Sequence, residues 1–309
     1  MISIVIIGKN EAKNLPNLYR SLENIQIKHE IIYVDSASND ESVDISIKYC
    51  DKIIELEDSN YLCAAAGRNV GTKYAEYGWI LYLDGDMELE NEFIEFLNNK
   101  EFKKYDKEIA GFIGYYNYIY NDGFNDNNRL LQPKNKVVDH FGGAVMLKKE
   151  IVLKAGNWNP SVVANEEIDL YIRIQSLGYK VFGIDKKFVK HIAKKESNIK
   201  TLVSLFIPQN KRFYGFGQVL VSQYKSKTLS RFILKRVYPF AYLLVIILSI
   251  LHISFLIVLG IMAINVTIKK RWYYNIIYIS EIIRGIFGIL QYKKYEPKVK
   301  SVKIIRNNN

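Results

Sequence analysis

The first third of the chain repeats one rhythm: a short β-branched apolar run, a polar turn, then an amphipathic stretch. Ile2 to Ile7 reads as a buried strand, and Glu11 to Ile25 as a helix with Leu15, Leu18 and Leu22 on one face. Glu30 to Val34 is a second strand, closed by the turn Asp35-Ser36-Ala37-Ser38-Asn39-Asp40. Ser42 to Tyr49 is helical, Lys52 to Leu56 a third strand and Ala64 to Tyr74 a helix. Trp79 to Leu83 is a fourth strand, ending at Asp84-Gly85-Asp86. Alternating β and α elements predict a Rossmann-like, mostly parallel sheet with helices on both faces, with ligands beyond the carboxyl ends of the strands. Asp35 and the Asp84/Asp86 pair fall at two such ends.

From Ile109 to His191 the pattern is less regular. Tyrosines crowd 115–120, and Gly142-Gly143-Ala144 forms a tight entry into the strand Val145-Met146-Leu147. Asn165 to Leu177 reads as a helix with acids in its first turn, and Lys180 to Ile184 as a strand. Val237 to Ile268 is almost entirely apolar, longer than the ~20 residues of one bilayer-spanning helix. One long tilted helix or a hairpin of two membrane helices over 237–268 fits; the expectation is the hairpin, breaking near His252-Ile253-Ser254, followed by an interfacial helix over 272–292, with a third crossing as the runner-up. The expected division is thus 1–225 for a soluble domain and 226–309 for a membrane-associated region.

Charge sharpens that division. Lys and Arg number 43 against 32 Asp and Glu, a net charge of +11 in 309 residues. The surplus brackets the apolar block: Lys225, Lys227, Arg231, Lys235 and Arg236 before it, Lys269, Lys270 and Arg271 after it, with Lys293, Lys294, Lys298 and Lys300 beyond. A bilayer surface explains this placement better than nucleic acid does, and puts both ends of the hairpin on the cytosolic side. Two cysteines without metal-type spacing, Cys50 and Cys63, fit a reduced compartment. The N-terminal apolar run is too short for a signal peptide.

Asp84-Gly85-Asp86 offers two carboxylates at a strand end, where one divalent cation and a diphosphate can meet. Alone the tripeptide is also an ordinary turn. In combination the chain resembles the family 2 glycosyltransferases, inverting enzymes with a GT-A fold, over Ile2 to His191 with an echo to Gly217. Lys9-Asn10-Glu11 after the first strand resembles that family's Asn-Glu opening, and Val34-Asp35-Ser36-Ala37-Ser38-Asn39-Asp40 its nucleotide loop. Ala65-Ala66-Gly67-Arg68-Asn69-Val70-Gly71 resembles the segment before the DxD strand, and Leu83-Asp84-Gly85-Asp86 the DxD motif itself.

The resemblance implies donor-binding roles for Asn10, Glu11, Asp35 (base), Arg68, Asp84 (ribose) and Asp86, with Asp86 also carrying Mn²⁺ or Mg²⁺. His191, after Phe188-Val189-Lys190, is the expected second metal ligand. Asn165-Glu166-Glu167-Ile168-Asp169-Leu170 is similar to the family's Glu-Asp-x-Asp-Leu segment, with Glu167 where the catalytic base stands; Glu166 is the neighbouring alternative. Gln209-Asn210-Lys211-Arg212-Phe213 echoes a Gln-x-x-Arg-Trp motif, and Arg212 is the expected contact to the leaving diphosphate. Trp158 fits either a sugar platform or the core. The implied activity is transfer of a sugar from a UDP- or GDP-sugar to an acceptor hydroxyl with inversion, on a lipid-linked glycan or glycolipid. The rivals are a polyprenyl-phosphate sugar synthase, a sugar-phosphate nucleotidyltransferase, which lacks its Gly-rich loop here, and a non-catalytic membrane adaptor.

Overall fold

A computed structural model describes residues 1–59, 61–120, 134–193, 214–226, 229–230, 233, 237–270 and 273–305. The chain divides into two compact units. The first comprises Met1–Ser161, Glu166–Lys195 and Lys294–Asn309, and the second Val162–Asn165 with Glu196–Lys293.

The first unit is built on the strands β1 (Ile2–Gly8), β2 (His29–Asp35), β3 (Lys52–Leu56), β4 (Trp79–Asp84), β5 (Met87–Leu89), β6 (Ile109–Tyr120), β7 (Lys136–Val137), β8 (Val145–Lys148), β9 (Lys180–Ala193) and β10 (Val299–Ile304). Its helices are α1 (Leu15–Leu22), α2 (Ser42–Ser46), α3 (Ala64–Tyr74), α4 (Asn91–Asn98), α5 (Lys149–Lys154) and α6 (Glu166–Ser176). The sheet runs β10-β3-β2-β1-β4-β8-β6-β9-β5, with β7 beside β9.

β3, β2, β1 and β4 are mutually parallel. Their interiors, such as Ile4, Val5, Ile32, Val34, Ile53, Leu81 and Tyr82, are buried, as continuous apolar runs in a doubly covered sheet require. The expected mostly parallel sheet is corrected to a mixed one. β8 pairs antiparallel with both β4 and β6, β5 and β7 pair antiparallel with β9, and only the β6–β9 pair restores the parallel sense. In the second half of the sheet the helices join strands that are not neighbours, α4 between β5 and β6 and α5 with α6 between β8 and β9, so adjacent strands are not held to the parallel sense of a βα crossover.

α3 lies close against β1 because Gly71 has no side chain: a Cβ there would stand 2.3 Å from Val5 Cγ1. Gly67, next to Arg68, makes the same kind of approach, with a Cβ there 2.9 Å from Ile7 Cγ2, and this sets Arg68 beside the strand ends. β10 is a further departure from expectation. Its Val-Lys-Ser-Val-Lys-Ile sequence reads as a basic flank, yet it pairs antiparallel with the edge strand β3, and Ser301 and Lys303 reach Glu55.

The second unit contains α7 (Gly215–Gln223), α8 (Val237–Leu251), α9 (Phe255–Lys269) and α10 (Tyr273–Leu290). α8 and α9 are two helices separated at His252-Ile253-Ser254, and α10 is helical within the 272–292 segment. The spanning expectation is corrected. Each arm has 15 residues, ~22 Å of helix against the ~30 Å of a hydrocarbon core. Among the described residues no helix is long and apolar enough to cross a membrane.

Candidate active site

The predicted residues converge at the carboxyl ends of β1, β2 and β4. After β1, Asn10 takes a left-handed backbone (φ 59°) and its amide oxygen accepts the Asn39 N–H at 2.8 Å. The Asn10 N–H donates to Ser38 Oγ and the Glu11 N–H to Ser42 Oγ, each at 2.8 Å, while Glu11 Oε2 accepts from Asn14. These bonds stitch the turn after β1 to the turn after β2. Asp40, which reads as a helix cap, accepts the Ser42 N–H at 3.1 Å and, across the stitch, the Ala12 N–H at 3.1 Å.

Asp35 is buried at the end of β2. It accepts the Ser38 N–H (2.8 Å), the Ser38 hydroxyl (2.6 Å) and the Tyr33 hydroxyl (3.2 Å). Its first task is therefore to shape its own loop. Burial and the neighbouring Asp35 charge push the Tyr33 phenol well above its ordinary range, so it stays a donor.

The centre of the site is Arg68, which is only 1% exposed. One guanidinium nitrogen donates to Asp84 at 2.6 Å and another to Glu166 at 2.9 Å. The guanidinium carbon lies 5.0 Å from the centroid of the Trp158 ring. Arg68 is thus a buried hub between the β4 end and α6, a position the resemblance to the family did not specify. Trp158 is fully buried against Tyr82 and Phe141, so it fills core and supports Arg68 rather than offering a sugar platform. Asn69 and Asn157 hold the same corner by exchanging backbone bonds: Asn69 Nδ2 donates to the Trp158 carbonyl and Asn157 Nδ2 to the Asn69 carbonyl. Gly143 closes the other side. A Cβ there would stand 2.5 Å from Asp84 Oδ2 and 2.6 Å from Arg68 Nη2, so only glycine fits against this pair.

Glu166 and Glu167 open α6. Burial pushes the Glu166 carboxyl upward, against the opposing pull of the Arg68 charge. Glu167 is half-buried, and burial together with the Glu166 charge pushes its carboxyl up to about 8, partly countered by Arg68. Glu167, Asp84 and Tyr116 are near enough for their charges to be felt, and Tyr116 donates to the Ala144 carbonyl at 2.5 Å beside the glycine turn. The third acid of the helix, Asp169, is structural. It is buried and pairs with Arg173, whose guanidinium also binds the carbonyls of Ala155 and Asn157. Sequence reasoning missed Arg173 and Tyr116. The i, i+4 spacing of Asp169 and Arg173 was a usable signal; nothing local marks Tyr116 within its tyrosine run.

Asp86 and His191 meet because β5 pairs antiparallel with β9, Met87 opposite His191. Asp86 Oδ2 lies 3.0 Å from His191 Nε2 and both side chains are partly exposed. An oxygen and an imidazole nitrogen side by side suit Mn²⁺ better than Mg²⁺, which favours oxygen ligands alone. Among the described residues no group of three or more such side chains forms, so a cation here would draw its other ligands from a diphosphate and water. Arg212 lies outside the described residues.

Residues 3–156 match the family model described as "Glycosyl transferase family 2". This segment is a glycosyltransferase family 2 domain. Two curated relatives share short stretches of it. The cholesterol galactosyltransferase of Borreliella burgdorferi is 30% identical over 102 residues, 32% of this chain and 28% of that protein. The 4,4'-diaponeurosporenoate glycosyltransferase of Staphylococcus haemolyticus is 30% identical over 95 residues, 29% of this chain and 25% of that protein. The match therefore spans about a quarter of each relative's length. Among solved structures, S. aureus TarS 1-349 in complex with UDP-GlcNAc superposes with a TM-score of 0.54 at 14% identity, covering 73% of this chain and 67% of that one. At that identity the likeness shows a GT-A-like fold alone. The family 2 segment contains Asp35, Arg68, Asp84 and Asp86. Glu166, Glu167 and His191 lie beyond it, yet Arg68 and Asp86 hold Glu166 and His191 by direct bonds.

Proposed function

We propose that this protein transfers a sugar from a nucleotide-sugar donor, a UDP- or GDP-sugar, to an acceptor hydroxyl with inversion. The observation that carries the reading is the buried Arg68, which ties Asp84 at the donor end of β4 to Glu166 and so brings Glu167 to the same cluster. Arg68 neutralises Glu166, which leaves Glu167 as the carboxylate free to take a proton. In the reaction Glu167 accepts the acceptor O–H proton. The freed oxygen pair bonds the anomeric carbon from the face opposite the diphosphate, whose C–O bond breaks with the pair leaving on the nucleoside diphosphate. A Mn²⁺ or Mg²⁺ held by Asp86 and His191 would supply positive charge to that diphosphate. Asp35 and the stitched Asn10/Glu11 turn form the nucleoside side of the pocket.

A lipid-linked glycan or glycolipid is the proposed acceptor, and the cytoplasmic face of the cell membrane the proposed location, in cell-surface polysaccharide synthesis. Two features support it. The relatives are named for cholesterol and diaponeurosporenoate, both apolar molecules, and α8 to α10 expose an unusual amount of apolar surface.

The test separates a hydroxyl acceptor from the phosphate of a polyprenyl-phosphate sugar synthase. A hydroxyl must lose its proton during attack; a phosphate oxygen needs no base. Glu167→Gln should reduce kcat by ~10²–10⁴-fold with the donor KM little changed. A variant within a few-fold of wild type would move the reading to a phosphate acceptor.

A further inference from the structure

The three-helix part of the second unit carries aliphatic side chains on its outside. α8, α9 and α10 each pack on the other two. Their shared interior mixes tyrosine with Val266, Leu259, Met262 and Ile277, and at its margin the Tyr242 hydroxyl bonds Asn275 Oδ1. Tyr242 and Tyr278 are buried there with Val266. The outward faces are aliphatic instead. Ile247 and Ile250 on α8, Ile261 and Ile264 on α9, and Ile283 and Ile286 on α10 are all exposed, Ile250 at 79%. Water-soluble bundles rarely leave so many aliphatic side chains facing outward. A protein partner or second copy would cover one face; here the exposed apolar positions lie on the outer sides of three mutually packed helices. A lipid environment covers all of them at once.

Polar groups gather at one end. Residues 237–268 contain no Asp, Glu, Lys or Arg, and Lys269 and Lys270 follow directly. Lys270 Nζ donates to Tyr278 Oη at 3.0 Å, and lies 5.2, 5.5 and 5.8 Å from the ring centroids of Tyr238, Tyr274 and Tyr278. Tyrosine and lysine clustered at the base of apolar helices mark the headgroup level of a bilayer. At the far end His252 Nδ1 is bonded to Ser254 Oγ at 2.7 Å, so these polar groups of the tip satisfy each other.

We propose that α8 and α9 enter one face of an anionic phospholipid bilayer as a re-entrant hairpin, returning to the same face with the Lys270–tyrosine cluster at the headgroups. An arm of ~22 Å passes the middle of a ~30 Å hydrocarbon core and stops short of the far side. This deepens the membrane partner proposed above, and its test uses no sugar donor, so failure of sugar transfer leaves it standing.

Ser254→Cys in a Cys63→Ser background places a single reactive thiol at the tip, because Cys50 is buried. The full-length protein is added to preformed sealed vesicles of phosphatidylcholine with phosphatidylglycerol, floated, and treated with a membrane-impermeant maleimide added outside or trapped inside. The expected result is flotation with the vesicles, no labelling from either side, and labelling once detergent dissolves the bilayer. Labelling by the trapped reagent would mean that the hairpin crosses. Labelling from outside, with protein left in the unfloated fraction, would mean that the apolar faces are not in lipid; either outcome overturns the proposal. Flotation of the wild-type protein and of Lys270→Ala, which leaves the tip untouched, supplies a second measurement. Lys270→Ala should weaken binding to phosphatidylglycerol vesicles about fivefold and leave binding to pure phosphatidylcholine unchanged.

Discussion

At the scale of single residues Glu167 is the proposed base, and its environment sets a pH dependence. A carboxyl held near 8 is mostly protonated at neutral pH, so kcat/KM should rise with pH as Glu167 loses its proton and level off above about 8. Glu167→Gln should abolish that limb. The same shift has a stability consequence of known sign. The folded protein keeps the Glu167 proton up to about 8, whereas the unfolded chain loses it near the ordinary ~4.3. Stability from this group is complete below that lower value and declines as pH rises through the folded one. Thermal unfolding of Glu167→Gln and wild type should therefore coincide near pH 4 and diverge by pH 8, with the variant the more stable. Arg68 makes the opposite prediction. Arg68→Met leaves Glu166 buried without its cation, and unfolding should show a loss of about 3–5 kcal/mol. Asp35, Asp84 and Asp86 were legible in the sequence because strand ends and polar turns are local features. The burial of Arg68 was not, since nothing in Ala-Ala-Gly-Arg-Asn says that a tryptophan 90 residues later in the chain lies beneath the guanidinium.

Among elements, the parallel half of the sheet was the most legible part, because strands covered on both faces must be apolar throughout, as Ile2-Ser3-Ile4-Val5-Ile6-Ile7 nearly is. The meeting of Asp86 and His191 was not readable, since it depends on the antiparallel register of β5 with β9, which no local pattern specifies. The glycine turn before β8 is where an element acts on the site. Gly143→Ala pushes a methyl group into Asp84 and Arg68, and should lower kcat/KM ~10²-fold while circular dichroism stays native. β10 was missed because its alternating Val-Lys-Ser-Val-Lys-Ile run is short and basic, a composition that suits an edge strand as well as a membrane flank. Removing residues 294–309 would uncover β3. Light scattering should then report aggregation that the full chain does not show at the same concentration.

For the molecule as a whole, composition announced an apolar C-terminal region but not its geometry. The break at His252-Ile253-Ser254 leaves two arms of 15 residues, and that length is why the proposed hairpin re-enters the bilayer rather than crossing it. The central claim is nonetheless about the family 2 segment and the residues folded against it: one pocket that takes a nucleotide-sugar and holds its diphosphate at Asp86. It is tested most directly by incubating detergent-purified, full-length protein with UDP-, GDP- and TDP-sugars and Mn²⁺ or Mg²⁺, and measuring nucleoside diphosphate release beside Asp86→Ala. Cation-dependent release from one donor, lost in Asp86→Ala, is the predicted result. Release from none of them, with the variant and wild type alike in thermal stability whether or not a donor is present, would contradict it.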